Sequence, residues 1–145
     1  MIRSHLLDLN VLIALVDPAH QHYQKAQDWF ISPGRYKLGL SPLTEAGFLR
    51  VTTNPGYPPK ARSFAEAIAI LQALKGHAEY WYWEICESWV TLTAPFAARI
   101  FGHQQVTDAY LLGLAIKENG VLVTFDKGVQ YMAGAEFSRN VLLLE

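Results

Sequence analysis

Four acidic residues stand in or directly after apolar stretches of this sequence, where a charged side chain needs a specific reason. Asp8 interrupts the apolar first segment, and Asp126 directly follows a later apolar run. Glu45 and Asp108 each lie in the first turns of a predicted helix, on the same face as its apolar residues. Together, these carboxylates would form an all-oxygen site of the kind that binds Mg²⁺ or Mn²⁺.

Carboxylates that are gathered at one site repel each other, and this repulsion determines what the site must bind. Asp8 and Asp126 each end a predicted strand, and the carboxyl ends of parallel strands line the ligand crevice of an open α/β sheet. Carboxylates about 4 Å apart repel by about 4 kcal/mol per pair at an effective dielectric constant near 20. Helix dipoles offset about 1–2 kcal/mol each at most, so either protons or a divalent cation must stabilise the group. A cation held there suits phosphodiester hydrolysis, because it orients the phosphate, generates hydroxide and neutralises the leaving oxyanion.

Each acid also has an ordinary structural explanation. Asp8 could cap a helix that starts at residue 9 or 10, and Asp126 could be a turn residue before Lys127. Glu45 and Asp108 could be first-turn acids that the helix dipole favours. The prediction of a metal site therefore depends on the four acids taken together.

Short apolar strands alternate with amphipathic helices along the chain, which predicts a parallel sheet covered by helices on both faces. Helix starts are indicated by Asp17-Pro18, by Ser41-Pro42 and by the capping box Ser63–Glu66. The length of 145 residues fits one domain and leaves little room for two, so we expect a single domain over residues 1–145. The predicted strands are 5–9, 36–40, 79–83, 121–124 and 141–144, and the predicted helices that carry most of the argument are 42–52, 64–75, 95–101 and 107–118.

The composition limits the class of protein. Apolar residues make up 51% and charged residues 17%, which excludes a disordered chain. With 12 Lys and Arg against 13 Asp and Glu, the net charge of −1 excludes a strongly basic nucleic-acid coat. The single cysteine, Cys86, excludes an internal disulfide and a Cys-rich zinc module, and we interpret it as a buried structural thiol. The longest apolar run has six residues and no signal-peptide segment is found, so we expect no membrane association and a cytoplasmic location.

Four segments resemble, in order and spacing, the four motifs of PIN-domain nucleases. They begin at Leu7 (LDLNVL), Thr44 (TEAGFLR), Thr107 (TDAYLL) and Thr124 (TFDK). The continuation RVTTNP after the second motif resembles one branch of the VapC-type toxins of toxin–antitoxin pairs. The resemblance extends over roughly residues 4–130, nearly the whole chain.

This resemblance implies a Mg²⁺- or Mn²⁺-dependent endoribonuclease on a three-layer α/β/α sandwich with a central, mainly parallel sheet. It implies an acidic pocket of Asp8, Glu45, Asp108 and Asp126, in which Asp8, Asp108 and Asp126 hold the ion and Glu45 helps to position or deprotonate water. It also implies an RNA substrate, with structured RNA such as tRNA as one candidate, a homodimer, and a small cognate antitoxin. The supporting residues, which would orient carboxylates or water, are Asn10, Thr44 and Thr124.

Two other interpretations stay open. A PIN-like module could hold RNA or a protein partner without cleaving anything. A phosphatase is disfavoured because the segment from Asp8 to Asn10 lacks the second aspartate of the common phosphatase motif.

Several further side chains are candidates for contact with a substrate. Arg50 lies five residues beyond Glu45 on the same predicted helix, where it could follow a substrate groove or pair with an acid. His103 precedes the Asp108 helix and could approach RNA or a phosphate. We interpret three other residues as solvent-facing surface: His20, His22 and Lys127. The aromatic residues 80–83 and Trp89 are interpreted as packing or interface residues rather than base-stacking ones.

Overall fold

One parallel sheet organises the molecule. A computed structural model describes residues 3–32, 37–76, 80–84 and 87–145. The strands within these residues are β1 (Ser4–Leu7), β2 (Lys37–Leu40), β3 (Tyr80–Tyr82), β4 (Val121–Thr124) and β5 (Val141–Leu143). They form a five-stranded sheet in the order β3-β2-β1-β4-β5, and every pair of neighbours is parallel.

Helices connect the strands. The α-helices of the described residues are α1 (Leu9–Val16), α2 (Tyr23–Phe30), α3 (Pro42–Thr52), α4 (Phe64–Lys75), α5 (Trp89–Thr93), α6 (Val106–Lys117) and α7 (Lys127–Ala133). Short 3₁₀ helices occupy Ala94–Arg99, His103–Gln105 and Ser138–Asn140. None of the helices in the described residues combines the length and the apolar character that crossing a bilayer requires.

The helices divide between the two faces of the sheet. Leu6 and Leu7 are both fully buried, and because successive residues of a strand point to opposite faces, they enter different cores. Leu6 belongs to the core beneath α5, α6 and α7, whereas Leu7 belongs to the core beneath α1, α2, α3 and α4. Leu122 and Val123 divide in the same way on β4. The predicted three-layer α/β/α sandwich with a parallel central sheet is therefore confirmed.

Local capping signals locate several helix starts. Helix α3 begins at Pro42, and the hydroxyl oxygen of Ser41 accepts a hydrogen bond from the Thr44 N–H. Helix α4 begins with the capping box, in which Ser63 and Glu66 bond to each other's backbone N–H groups. Both caps satisfy N–H groups that have no partner inside the helix.

One prediction about the helices is wrong. Asp17 does not start α2; it ends α1, and its carboxylate accepts a hydrogen bond from the Ala19 N–H in a local turn, so that α2 begins only at Tyr23. The short helix predicted over 95–101 is the 3₁₀ helix Ala94–Arg99, which follows α5.

The predicted packing role of the aromatic segment holds for Trp83, which is 2% exposed in the core beneath α6. A Cβ atom at Gly39 would overlap the indole ring of Trp83, so β2 needs glycine there to let the indole approach. Cys86 lies outside the described residues, as do the side chains of Tyr80, Trp81 and Tyr82.

Candidate active site

The carboxyl ends of β1 and β4 lie side by side and bring Asp8 next to Thr124. Leu7 pairs with Val123 in the register of the two strands, and the Asp8 N–H continues the ladder by donating to the Val123 carbonyl at 3.0 Å. Asp8 is only 4% exposed. Its Oδ1 accepts a hydrogen bond from the Leu9 N–H at 2.7 Å, and its Oδ2 accepts one from Thr124 Oγ1 at 2.7 Å. The side chain is thus fixed at the start of α1.

Thr124 connects two of the predicted acids. Its hydroxyl is fully buried; it donates to Asp8 and accepts a hydrogen bond from the Asp126 N–H at 3.0 Å. A single hydroxyl group can do both, because it carries one donor and two acceptor lone pairs. Thr124 therefore holds the Asp8 carboxylate and the backbone of Asp126 in one arrangement.

Asp108 reaches the same place from the first turn of α6. Its carboxyl group lies within hydrogen-bonding reach of that of Asp8. Burial, the charge of Asp8, the hydrogen bond to Asp8 and the charge of Asp126 together raise the pKa of Asp108 to about 8. Burial also raises the pKa of Asp8, and hydrogen bonds from Thr124, Leu9 and Asp108 partly offset that effect. Both carboxyl groups therefore favour the protonated form more strongly than an exposed aspartate does.

Asp126 completes this group from the start of α7. Its Oδ1 accepts a hydrogen bond from the Gly128 N–H at 2.7 Å, so Asp126 caps the helix while its charge acts on Asp8 and Asp108. A Cβ atom at Gly128 would lie 3.0 Å from Asp126 Oδ1 and 3.1 Å from the amide nitrogen of Gln105. The absence of a side chain at Gly128 therefore leaves room for both the Asp126 carboxylate and the Gln105 amide.

The position of Gln105 beside Gly128 was not predicted from the sequence. Its side-chain oxygen accepts a hydrogen bond from the Phe101 N–H at 2.7 Å, which orients the amide nitrogen toward Gly128. It precedes Asp108 by three residues, and residues three apart lie on one side of a helix. That spacing was the signal that could have identified it.

Glu45 is placed differently from the three aspartates. The preceding Thr44 is buried on α3, and its hydroxyl donates to the carbonyl of Leu7 at 3.2 Å, which ties α3 to the end of β1. The Glu45 carboxylate lies 3.8 Å from the Lys75 ammonium group of α4. The structure thus brings Asp8, Asp108 and Asp126 together, whereas Glu45 is engaged by a lysine.

The donors present fit a hard divalent ion. Asn10 Oδ1 is buried and has no hydrogen-bond partner, although buried polar atoms nearly always have one, so this oxygen is available to a water or a cation. In the described part of the chain, no group of three or more His, Cys, Asp or Glu side chains is placed to hold a metal ion. Mg²⁺ needs fewer protein ligands than that, because it commonly binds one or two carboxylates and retains several waters.

The two candidate substrate residues are not part of the buried group. Arg50 on α3 and His103 in its 3₁₀ helix are both exposed. The prediction that His22 lies on a solvated helix face is wrong, because His22 directly precedes α2 and its ring stacks on that of Phe125 at a centroid distance of 4.7 Å.

The order of these residues along the chain matches a known family. The sequence profile described as PIN domain matches residues 5–135, a range that contains all four acids. The chain belongs to the PIN domain family. The resemblance noted in the sequence is therefore confirmed.

Relatives of known name extend this assignment within the PIN family. The chain is 41% identical to Ribonuclease VapC38 of Mycobacterium tuberculosis over 128 residues, which cover 88% of this chain and 89% of the relative. It is 36% identical to Ribonuclease VapC39 of the same organism over 130 residues, which cover 90% of this chain and 94% of the relative. The resemblance to VapC-type proteins is thus confirmed as well.

Solved structures share the fold. The crystal structure of FitAcB from Neisseria gonorrhoeae matches with a TM-score of 0.65 at 18% identity and covers 97% of this chain and 96% of its own. That of VapBC2 from Rickettsia felis, bound to a DNA fragment from their promoter, matches with a TM-score of 0.61 at 13% identity over the full length of both chains. At these identities the likeness shows the PIN fold alone.

Proposed function

We propose that this PIN-domain protein is a Mg²⁺- or Mn²⁺-dependent endoribonuclease of the VapC type. The observation that carries the proposal is the group of Asp8, Asp108 and Asp126 at the adjoining ends of β1, α6 and β4, where burial and mutual charge raise the pKa of Asp8 and of Asp108. The names of the relatives that align over nearly 90% of the chain support the same activity.

The contacts of each residue indicate its role in the proposed reaction. Asp8 and Asp108 would hold the ion, and Asp126 would hold it directly or through water. A hard divalent ion supplies charge neutralisation and an activated water for phosphodiester hydrolysis. Thr124 keeps the Asp8 carboxylate oriented, and Glu45 helps to position or deprotonate the attacking water. The products would carry a 5′ phosphate and a 3′ hydroxyl group.

The test compares the wild type with Asp8→Asn on a panel of defined structured RNAs, including tRNAs, in Mg²⁺, in Mn²⁺ and in EDTA. Asparagine keeps an acceptor oxygen for the Leu9 N–H, so the start of α1 survives while the charge is lost. We expect cleavage by the wild type with either metal and none by Asp8→Asn. Asp28→Asn, on the exposed face of α2, is the matched control and should cleave like the wild type.

Two results would contradict the proposal. Equal cleavage by the wild type and Asp8→Asn would mean that another nuclease in the preparation is responsible. RNA binding by the wild type without cleavage in either metal would favour the alternative, a catalytically silent PIN-like binding module.

We extend the proposal to partners: a homodimer and a small cognate antitoxin, acting in the cytoplasm. Exposed apolar side chains support a protein interface, because Phe101 and Tyr131 are 73% and 58% exposed and stack on each other at 5.3 Å. Val106 nearby is 48% exposed. The similar structure from Rickettsia felis is that of VapBC2, and this likeness supports a pairing of the VapBC kind here. Light scattering of the purified chain, with and without the product of the adjacent reading frame, tests both assemblies.

A further inference from the structure

A polar cavity opens at the carboxyl ends of β4 and β5. Its volume is about 270 Å³. The lining residues come from the start of α2, from both sides of Asp126 and from the segment that follows β5: His22, Lys25, Phe125, Lys127, Leu143, Leu144 and Glu145. Phe125 and Lys127 are the two chain neighbours of Asp126, so the cavity lies beside this member of the proposed catalytic group.

The walls of the cavity are fixed by contacts between distant segments. The ring of His22 stacks on Phe125 with an interplanar angle of 25°, which holds the start of α2 against the end of β4. The Leu144 N–H donates to the Thr124 carbonyl at 2.9 Å and holds the segment after β5 alongside. Lys25 and Lys127, which are distant in sequence, therefore lie on one cavity.

The charges of this cavity are unbalanced. Within the described residues, neither Lys25 nor Lys127 makes an ion pair or a side-chain hydrogen bond, and both are exposed. Glu145 is the one acidic residue of the lining. One unpaired surface lysine is ordinary, but two on a single cavity next to a phosphodiester-cleaving group indicate an anionic ligand.

We propose that this cavity binds a backbone phosphate of the RNA substrate next to the phosphate that is cleaved, with Lys25 and Lys127 as its cationic contacts. This inference depends on the proposed nuclease function, because it assigns the ligand by its position beside that site. Lysine ammonium groups contact nucleic-acid phosphates as point charges and fix the register of the strand without reading its sequence. The cavity would thus set which phosphodiester bond lies at Asp8 and Asp108.

The test measures salt dependence of binding rather than cleavage. Lys25→Gln, Lys127→Gln and the double variant are made in the Asp8→Asn background, and binding of a fluorescein-labelled tRNA transcript is followed by anisotropy between about 50 and 300 mM KCl, the range over which phosphate contacts dominate the salt dependence. Each lost phosphate contact should reduce the slope of log K against log salt by about 0.7–0.9. The double variant should lose about twice that slope. Lys60→Gln is the matched control, since Lys60 is an exposed lysine between α3 and α4 that does not line the cavity, and it should leave the slope unchanged.

The outcomes separate this inference from the proposed function. In the wild-type background the lysine variants should raise KM for the tRNA by about fourfold per residue at about 0.15 M salt, with the main effect on KM rather than on kcat. If the wild type cleaves RNA but the slope and KM do not change in the variants, the subsite is refuted and the nuclease function stands. If Asp8→Asn cleaves as well as the wild type, the nuclease function fails, and the slope still reports whether the lysines contact phosphate. Equal loss of slope in Lys60→Gln would also refute the subsite, because it would reflect overall charge.

Discussion

Replacing Asp108 with asparagine should stabilise the protein in the absence of metal while abolishing RNA cleavage. Because burial beside Asp8 raises the pKa of Asp108 to about 8, the folded protein keeps a proton that the unfolded chain releases above about pH 4. The stability that this proton contributes is present at low pH and is lost as the pH rises from about 4 to 8. The amide of the Asp108→Asn variant has no such proton to lose, so its stability should lack this decline.

The size of the effect follows from the pKa difference. One additional proton bound by the folded state changes the free energy of unfolding by about 1.36 kcal/mol per pH unit, which gives an upper limit of about 4 kcal/mol between pH 5 and 8. Asp108 is partly exposed, and solvent screening reduces the expected difference to about 1–3 kcal/mol. His5 acts in the opposite direction, because burial lowers its pKa and its contribution to stability rises with pH. The difference between variant and wild type cancels the effect of His5 and isolates that of the carboxyl pair Asp8 and Asp108.

Urea unfolding followed by circular dichroism, in EDTA at pH 5, 6, 7 and 8, measures this difference directly. The free energy of unfolding of Asp108→Asn minus that of the wild type should grow by about 1–3 kcal/mol from pH 5 to pH 8. Adding Mg²⁺ at pH 8 should stabilise the wild type and have a smaller effect on the variant if, as proposed, the ion binds the folded state through the carboxylate pair. Asp28→Asn is the control for the chemical change, because Asp28 is exposed on α2.

Two outcomes would refute the reasoning. A difference that stays constant within about 0.5 kcal/mol across the pH range would show that Asp108 holds no proton in the folded protein. A similar pH-dependent difference in Asp28→Asn would show that the effect comes from overall charge and not from the buried pair.

Three further substitutions test separate contacts. Thr124→Val should destabilise the protein by about 1–3 kcal/mol in urea unfolding and reduce metal-dependent cleavage, because it removes a hydroxyl that bonds to both Asp8 and Asp126. Thr124→Ser keeps a hydroxyl and should therefore restore both the stability and the cleavage rate. Ser63→Ala should cost about 1 kcal/mol in urea unfolding and leave cleavage unchanged, because it removes only the cap of α4; a loss of cleavage would contradict this. Gly128→Ala should reduce cleavage, because the new methyl group crowds Asp126 Oδ1. Its stability should change by less than about 1 kcal/mol, because alanine favours the helix and offsets this crowding. Unchanged cleavage rates would show that the space at Gly128 is not needed for activity.

The parts of the fold that local chemistry decides could be predicted from the sequence. Ser41-Pro42 and the Ser63 capping box located the starts of α3 and α4, since a cap is a contact between residues three apart. Asp8 and Asp126 were recognisable as candidates because each ends an apolar strand, although each also caps the helix that follows it. The order of the apolar segments then indicated a parallel sheet, which places both acids at one edge.

The rest depended on contacts between segments that are distant in sequence. Asp17-Pro18 has the composition of a helix start, but its side chain closes a turn instead, and nothing local distinguishes the two. The approach of Gln105 to Gly128 and the stack of His22 on Phe125 exist only because segments that are distant in sequence meet in the folded chain. The sequence indicates that Lys127 is an ordinary surface residue, because it does not show that Lys25, on another helix, lines the same cavity.

Asp8 contributes both to the fold and to the proposed chemistry, and this limits which substitutions can be accepted at position 8 during evolution. One carboxylate oxygen begins α1 through the Leu9 N–H, and the other accepts the hydroxyl of buried Thr124. A mutation to alanine or valine would remove the charge and the helix cap together, so the chain would lose stability as well as chemistry. Lineages that lose cleavage but keep the folded protein should therefore carry asparagine at this position more often than an apolar residue.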